Sequence, residues 1–150
     1  MRLETQLRPD AASLTLMSGL AAGTLVLTLR GETAVEALVA GDRVITRDAG
    51  AATLLAVEAR AARVAPVRIA AGSLGHTRPE RDMLIGPGTP IHLRDWRARA
   101  LYGRDRALVE AHRLVDGEFV TEERPRGMTL YTLSFGAAQI VYADGIEVAA

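Results

Sequence analysis

The sequence predicts an all-β fold on three observations. Short apolar runs rich in Val, Leu, Ile and Thr recur along the chain, Gly, Asp and Pro punctuate them at close spacing, and no helix-like segment exceeds about three turns. Many short strands broken by turn residues fit packed antiparallel sheets; a parallel sheet would need crossover helices.

Taken in order, the strand-like runs are LTLM at 14–17, TLVLTL at 24–29, RVITR at 43–47 and TLLAVEA at 53–59. The second half continues with PVRIA at 66–70, MLI at 83–85, PIHL at 90–93, EFVT at 118–121, MTLYTLS at 128–134 and QIVYA at 139–143. Asp144-Gly145 then offers a hairpin turn before Ile146. Thr33 to Val39 and Arg106 to Leu114 read as short helices, because Ala, Leu and Glu dominate them and β-branched residues are few. These two segments echo each other. Val35-Glu36-Ala37-Leu38-Val39-Ala40-Gly41-Asp42-Arg43-Val44 returns as Val109-Glu110-Ala111, two extra residues, then Leu114-Val115-Asp116-Gly117-Glu118-Phe119-Val120. Each unit reads as a helical turn, a Gly-acidic turn and a strand, which implies a pseudo-twofold duplication inside one domain.

Composition excludes several function classes. The 150 residues fit one domain, and 18 basic against 18 acidic residues leave no charged tail for nucleic acid or a membrane surface. Every basic residue is Arg. With no Cys there is neither a disulfide nor a thiolate metal site, and His76, His92 and His112 are dispersed without a carboxylate cluster, so no metal or cofactor is expected. No apolar run reaches the roughly 18 residues of a membrane helix. The N-terminus, with Glu4, Pro9 and Asp10 ahead of its first apolar stretch, lacks a signal-peptide layout, so the default compartment is cytoplasmic.

From residue 19 onward the chain resembles a Hint domain, the Hedgehog/intein self-processing family, and in particular the bacterial group of stand-alone Hint domains. The likeness is carried by GETAVEALVAGDRVITRDAG at Gly31–Gly50, by PVRIAAGSLGHTRPERDMLIGPGTPIHL at Pro66–Leu93 and by WRARALYGRDRALVEAHRLVDG at Trp96–Gly117. It implies a Hint fold over residues 19–150, with residues 1–18 in the place of an N-terminal extein. The family's chemistry needs a Cys that attacks the peptide bond just upstream, a middle-block His, usually in Ser/Thr-x-x-His, that protonates the departing amine, and a late-block His. On this sequence the Cys position falls on Gly19, the middle-block Ser and His on Gly86 and Thr89, and the late His on Ala138. The chain ends Glu147-Val148-Ala149-Ala150 without a terminal His-Asn pair, so the resemblance also implies no Asn cyclisation.

The expectation is a catalytically degenerate Hint-like domain serving as a scaffold or interaction module, with a protein partner. The rival is residual self-cleavage through Ser18 or His92. Ser18 stands one residue before the nucleophile position, although a Ser in a Gly-flanked turn is ordinarily a solvated or capping residue. Thr89-Pro90-Ile91-His92 spells Ser/Thr-x-x-His by itself. On a strand, however, a three-residue offset turns the side chain to the opposite face, so His92 is expected to point away from the inherited site. Gly41-Asp42, Asp116-Gly117, Gly23 and Gly31 read as turn residues, and Arg94 to Arg99 as a solvated charged loop that packs the single Trp, in preference to a clamp for an anion or a partner.

Overall fold

The computed structural model describes residues 17–150. Residues 14–16 of the first apolar run, and the leading segment up to residue 16, lie outside that range. In chain order the strands are β1 (Leu20–Ala21), β2 (Leu25–Thr28), β3 (Gly31–Ala34), β4 (Arg43–Thr46), β5 (Gly50–Thr53), β6 (Ala56–Val64), β7 (Val67–Ile69), β8 (Met83–Ile85) and β9 (Pro90–Leu93). They continue as β10 (Ala107–Glu110), β11 (Val120–Glu122), β12 (Arg126–Ser134), β13 (Ile140–Ala143) and β14 (Ile146–Ala149). A single α-helix among the described residues, α1 (Trp96–Tyr102), lies between β9 and β10. No described helix is long and apolar enough to cross a membrane.

Two antiparallel sheets share the core. One runs β11-β7-β8-β1-β12-β6; the other runs β10-β9-β14-β13-β2-β4-β5, with β3 paired to β2. Alternation decides which side chains face inward: along β2, β4, β9 and β13 every second residue is buried, and Val26, Val44, Ile91 and Val141 meet the fully buried Leu54, Ile69 and Ile85. β6 and β12 pair over nine residues, and the free edge of β6 carries exposed Glu58, Arg60 and Arg63, charges that discourage a further strand from adding there.

The duplication expected from sequence is present, at a different register. Thr24 N–H donates to Ala21 O at 3.2 Å and Thr89 N–H to Gly86 O at 3.1 Å, so Ala21-Ala22-Gly23-Thr24 and Gly86-Pro87-Gly88-Thr89 form matching turns. Beyond them the Thr24 carbonyl accepts from Val35 N–H (2.8 Å), and the Thr89 carbonyl from Ala111 N–H (2.9 Å). Val35 and Ala111 each open a one-turn 3-10 helix, Val35–Ala37 and Ala111–Leu114, entered with φ near −60° in both copies. Leu20 and Ile85, the residue before each turn, pair with each other across β1 and β8. Equivalence therefore sets Val35 against Ala111, two residues from the echo read in sequence. Val109 and Glu110 are held in β10 by pairing with Ile91 and Pro90, and the turn begins only where that ladder ends.

Three local expectations are corrected. Residues 33–34 and 107–110 are strand rather than helix, because β3 and β10 close hairpins with β2 and β9 that outweigh weak helix propensity. TLLAVEA divides: Leu54 exchanges backbone bonds with Gly41 and Asp42, so β5 ends at Thr53 and β6 starts at Ala56. Arg94 to Arg99 is not a loop that packs Trp96. It runs into α1, capped by Asp95, whose side chain accepts Arg97 N–H at 3.0 Å, and by left-handed Gly103. The buried face of α1 is Ala98, while Trp96 is 67% exposed with Arg97 stacked 4.7 Å from its ring centroid. Trp96→Ala should accordingly cost no more than about 1 kcal/mol in a urea unfolding titration, the worth of an exposed cation–π contact.

Candidate functional site

Gly19 enters β1 between β8 and β12, and its backbone is fully engaged. Its N–H donates to Thr89 Oγ1 at 2.9 Å, and its carbonyl accepts from Gly86 N–H at 2.9 Å and from the Thr89 hydroxyl at 3.2 Å. Two residues further out, Gly88 N–H donates to Met17 O at 2.7 Å. The structure thus brings Gly19, Gly86 and Thr89 together. Neither glycine has room for a side chain: a Cβ on Gly19 would lie 2.9 Å from Leu130 Cβ and 3.1 Å from Tyr131 O, and one on Gly86 would lie 2.8 Å from Met17 O. Gly19 also has φ +136°, a conformation that favours glycine.

Beside this cluster is a cavity of about 250 Å³, whose lining includes Ser18, Gly19, Thr89, Tyr131, Val148 and Ala150. Ser18 is exposed there. Ala138 is exposed in the connection between β12 and β13 and is not part of that lining, although its neighbour Gln139 exchanges two backbone bonds with Ala150 at 3.2 and 2.8 Å. Chemically the cluster offers hydrogen bonds to one peptide group. Among Gly19, Gly86 and Thr89 the single side-chain functional group is the Thr89 hydroxyl, which is buried and uses its proton on the Gly19 carbonyl.

His92 belongs to a second, larger cavity of about 510 Å³ that shares no lining residue with the first. Because β14 pairs with β9 at Val148↔Ile91, the adjacent Glu147 and His92 fall opposite each other on the other face of the same ladder. Glu147 Oε1 lies 2.6 Å from His92 Nδ1 and accepts from Arg94 Nε at 3.1 Å, while Oε2 accepts from Arg94 Nη2 at 2.6 Å. Arg47 Nε approaches Oε1 at 3.3 Å. Burial pushes the Glu147 carboxyl up, but hydrogen bonds from Arg94 and His92 outweigh it and hold the group below the usual carboxylate range.

Glu147, Arg94 and Arg47 escape a reading of sequence alone. In Ile146-Glu147-Val148 the alternation sends Glu147 to a nominal outer face, and only the neighbouring strands reveal that this face is covered. Asp144, legible in sequence as a hairpin-turn residue, has a further role: buried, at φ 48°, it accepts Leu25 N–H at 3.0 Å while its own N–H donates to the Leu25 carbonyl at 2.8 Å, locking the β13–β14 turn onto β2. Among the described residues no three His, Asp or Glu side chains are grouped to hold a metal.

Two packed antiparallel sheets, with an internal twofold that relates β1 to β8 in one and β2 to β9 in the other, define an intein-like architecture. The solution structure of a bacterial intein-like domain from Clostridium thermocellum is similar over 88% of this chain and 97% of that one, at TM-score 0.59 and 19% identity. The gp41-1 intein (TM-score 0.58, 14% identity, 87% and 97% covered) and the MchDnaB-1 intein (0.54, 13%, 86% and 98%) share the fold. The Hint domain profile matches residues 18–149, and the chain belongs to that family. No curated protein sequence matches it.

Proposed function

We propose that this chain is a Hint-fold module that has lost autoprocessing and serves as a scaffold or interaction domain. The observation that carries the reading is Gly19, at the position where the family places its nucleophile. It lacks a side chain, and its backbone packs too closely on Leu130 and Tyr131 to accept one. Thr89, at the family's His position, holds the Gly19 amide but is no proton donor to an amine near neutral pH, since its hydroxyl does not ionise there. Loss of nucleophile and acid together leaves no group to form a thioester or to release its leaving amine.

The test is intact mass. Purified chain held with a strong thiol or hydroxylamine should keep its full-length mass. Loss of the segment ahead of Gly19 would overturn the proposal and give the chemistry to Ser18, the exposed hydroxyl on the adjoining cavity, or to His92.

A further inference from the structure

The larger cavity is built around two side chains that are almost wholly buried, His92 and Glu147, at 7% and 9% exposure. Glu147 is fully engaged: Oε1 serves His92 and Arg94 and is approached by Arg47 at 3.3 Å, and Oε2 serves Arg94. An ionised carboxylate only accepts, so its contact with His92 places the ring proton on Nδ1 and leaves Nε2 for something else. Among the described residues Nε2 has no hydrogen-bond partner, and no buried polar side-chain atom is unpaired, so Nε2 opens on the cavity.

The other polar groups on the lining have their capacity spent unevenly. Asp95 uses both oxygens on Arg97, at 3.0 Å to its N–H and 2.6 Å to Nη1. Glu80 is engaged by Arg78 Nη1 at 2.6 Å. Glu32, on β3, is the acid of the lining without an ion pair, and it is exposed to water. Donors remain: the second Nη of Arg78, the first Nη of Arg94, the exposed ring of His76 and the Tyr142 hydroxyl. Apolar surface from Leu27, Leu74 and Ile146 completes the wall. The rim is also strained: His76 and Thr77 stand at φ 52° and 58°, and for a β-branched residue the left-handed region is costly. Strain of this kind concentrates where a loop is shaped for a ligand.

We propose that this cavity binds a small oxyanion, a carboxylate or phosphate monoester on a compact apolar body, with His92 taking up a proton to become its innermost donor. Glu147 then supports the imidazolium from behind, and the unused Nη groups of Arg78 and Arg94 donate to the bound anion. The site is independent of whether the chain cleaves itself, so either reading can fail alone.

Calorimetric titration with benzoate and with phenyl phosphate, each in two buffers of different ionisation enthalpy, tests it. Benzoate does not itself titrate between pH 6 and 8, so its proton uptake reports on the protein, whereas a phosphate ester has its second ionisation near pH 6. At least one probe should bind, take up protons, and bind more tightly as pH falls from about 8 to 6. His92→Gln should abolish the proton uptake that accompanies benzoate binding and weaken binding of either probe about tenfold. Arg78→Gln, outside the Glu147 cluster, should weaken it several-fold at an unchanged thermal midpoint, separating lost binding from lost fold. No binding of either probe at about 10 mM, or binding whose affinity and proton count survive His92→Gln, overturns the site.

Discussion

Gly19→Ala is expected to lower the free energy of unfolding by about 3 kcal/mol, and Gly19→Cys by at least as much. A backbone at φ +136° costs an L-residue on the order of 1–3 kcal/mol. The new Cβ adds a 2.9 Å clash with Leu130 Cβ and a 3.1 Å approach to the Tyr131 carbonyl, and relieving them means moving β1 off β12. Such a movement also stretches the bonds from Gly19 to Thr89 and Gly86. Gly23→Ala is the internal control: φ is +91° but nothing lies within 4 Å of its Cβ, so only the conformational cost of about 1 kcal/mol applies. Urea titrations of the three variants decide the matter, and a Gly19→Ala value equal to that of Gly23→Ala would remove the steric argument. Because the two effects are separable, a Gly19→Cys variant that folds poorly and does not cleave reports on packing before it reports on chemistry.

Strand positions were legible as short apolar runs rich in β-branched residues and bounded by turn residues, as in Leu25–Thr28, Pro90–Leu93 and Ile140–Ala143, whereas their alternating burial came only with the structure. Gly31–Ala34 and Ala107–Glu110 left no such trace. They are mixed in polarity and are strands by virtue of their hairpin partners, a tertiary fact. Residues 94–106 show the same limit from the other side. In the first copy β2 and β3 are joined by Leu29 and Arg30 alone, whereas the second copy inserts α1, and the short helix buries only Ala98 and so has no apolar stripe to announce it. At the candidate site, the meeting of Gly19, Gly86 and Thr89 was reachable only through motif order, since glycines carry no chemical signal. The buried pair His92 and Glu147 was half visible: alternation turned His92 away from Thr89, but nothing in Ile-Glu-Val said that a cavity and two arginines waited on that side.

Glu147→Ala is expected to be the other severe substitution, at about 2–3 kcal/mol at pH 7, because it leaves the buried His92 without its acceptor, while Arg94, half exposed, is in part resolvated. Glu147→Gln separates charge from shape: it keeps the volume and one acceptor, and should cost about 1–3 kcal/mol. The pH dependence follows from the direction of the Glu147 shift. Its carboxyl is held below its unfolded value, so the unfolded chain binds the proton more tightly, and the stability contributed by the charge is complete above the unfolded pKa of about 4.3. That contribution is lost as pH falls through the lower folded value. The gap between the native chain and Glu147→Gln should therefore be constant from about pH 7 down to 5 and narrow below about pH 4, whereas a purely steric effect would leave it flat. Denaturant midpoints taken at each pH supply the measurement, and a gap that stays constant into acid, or is under about 0.5 kcal/mol at pH 7, would show that the three hydrogen bonds around Glu147 are not what holds β14 to β9.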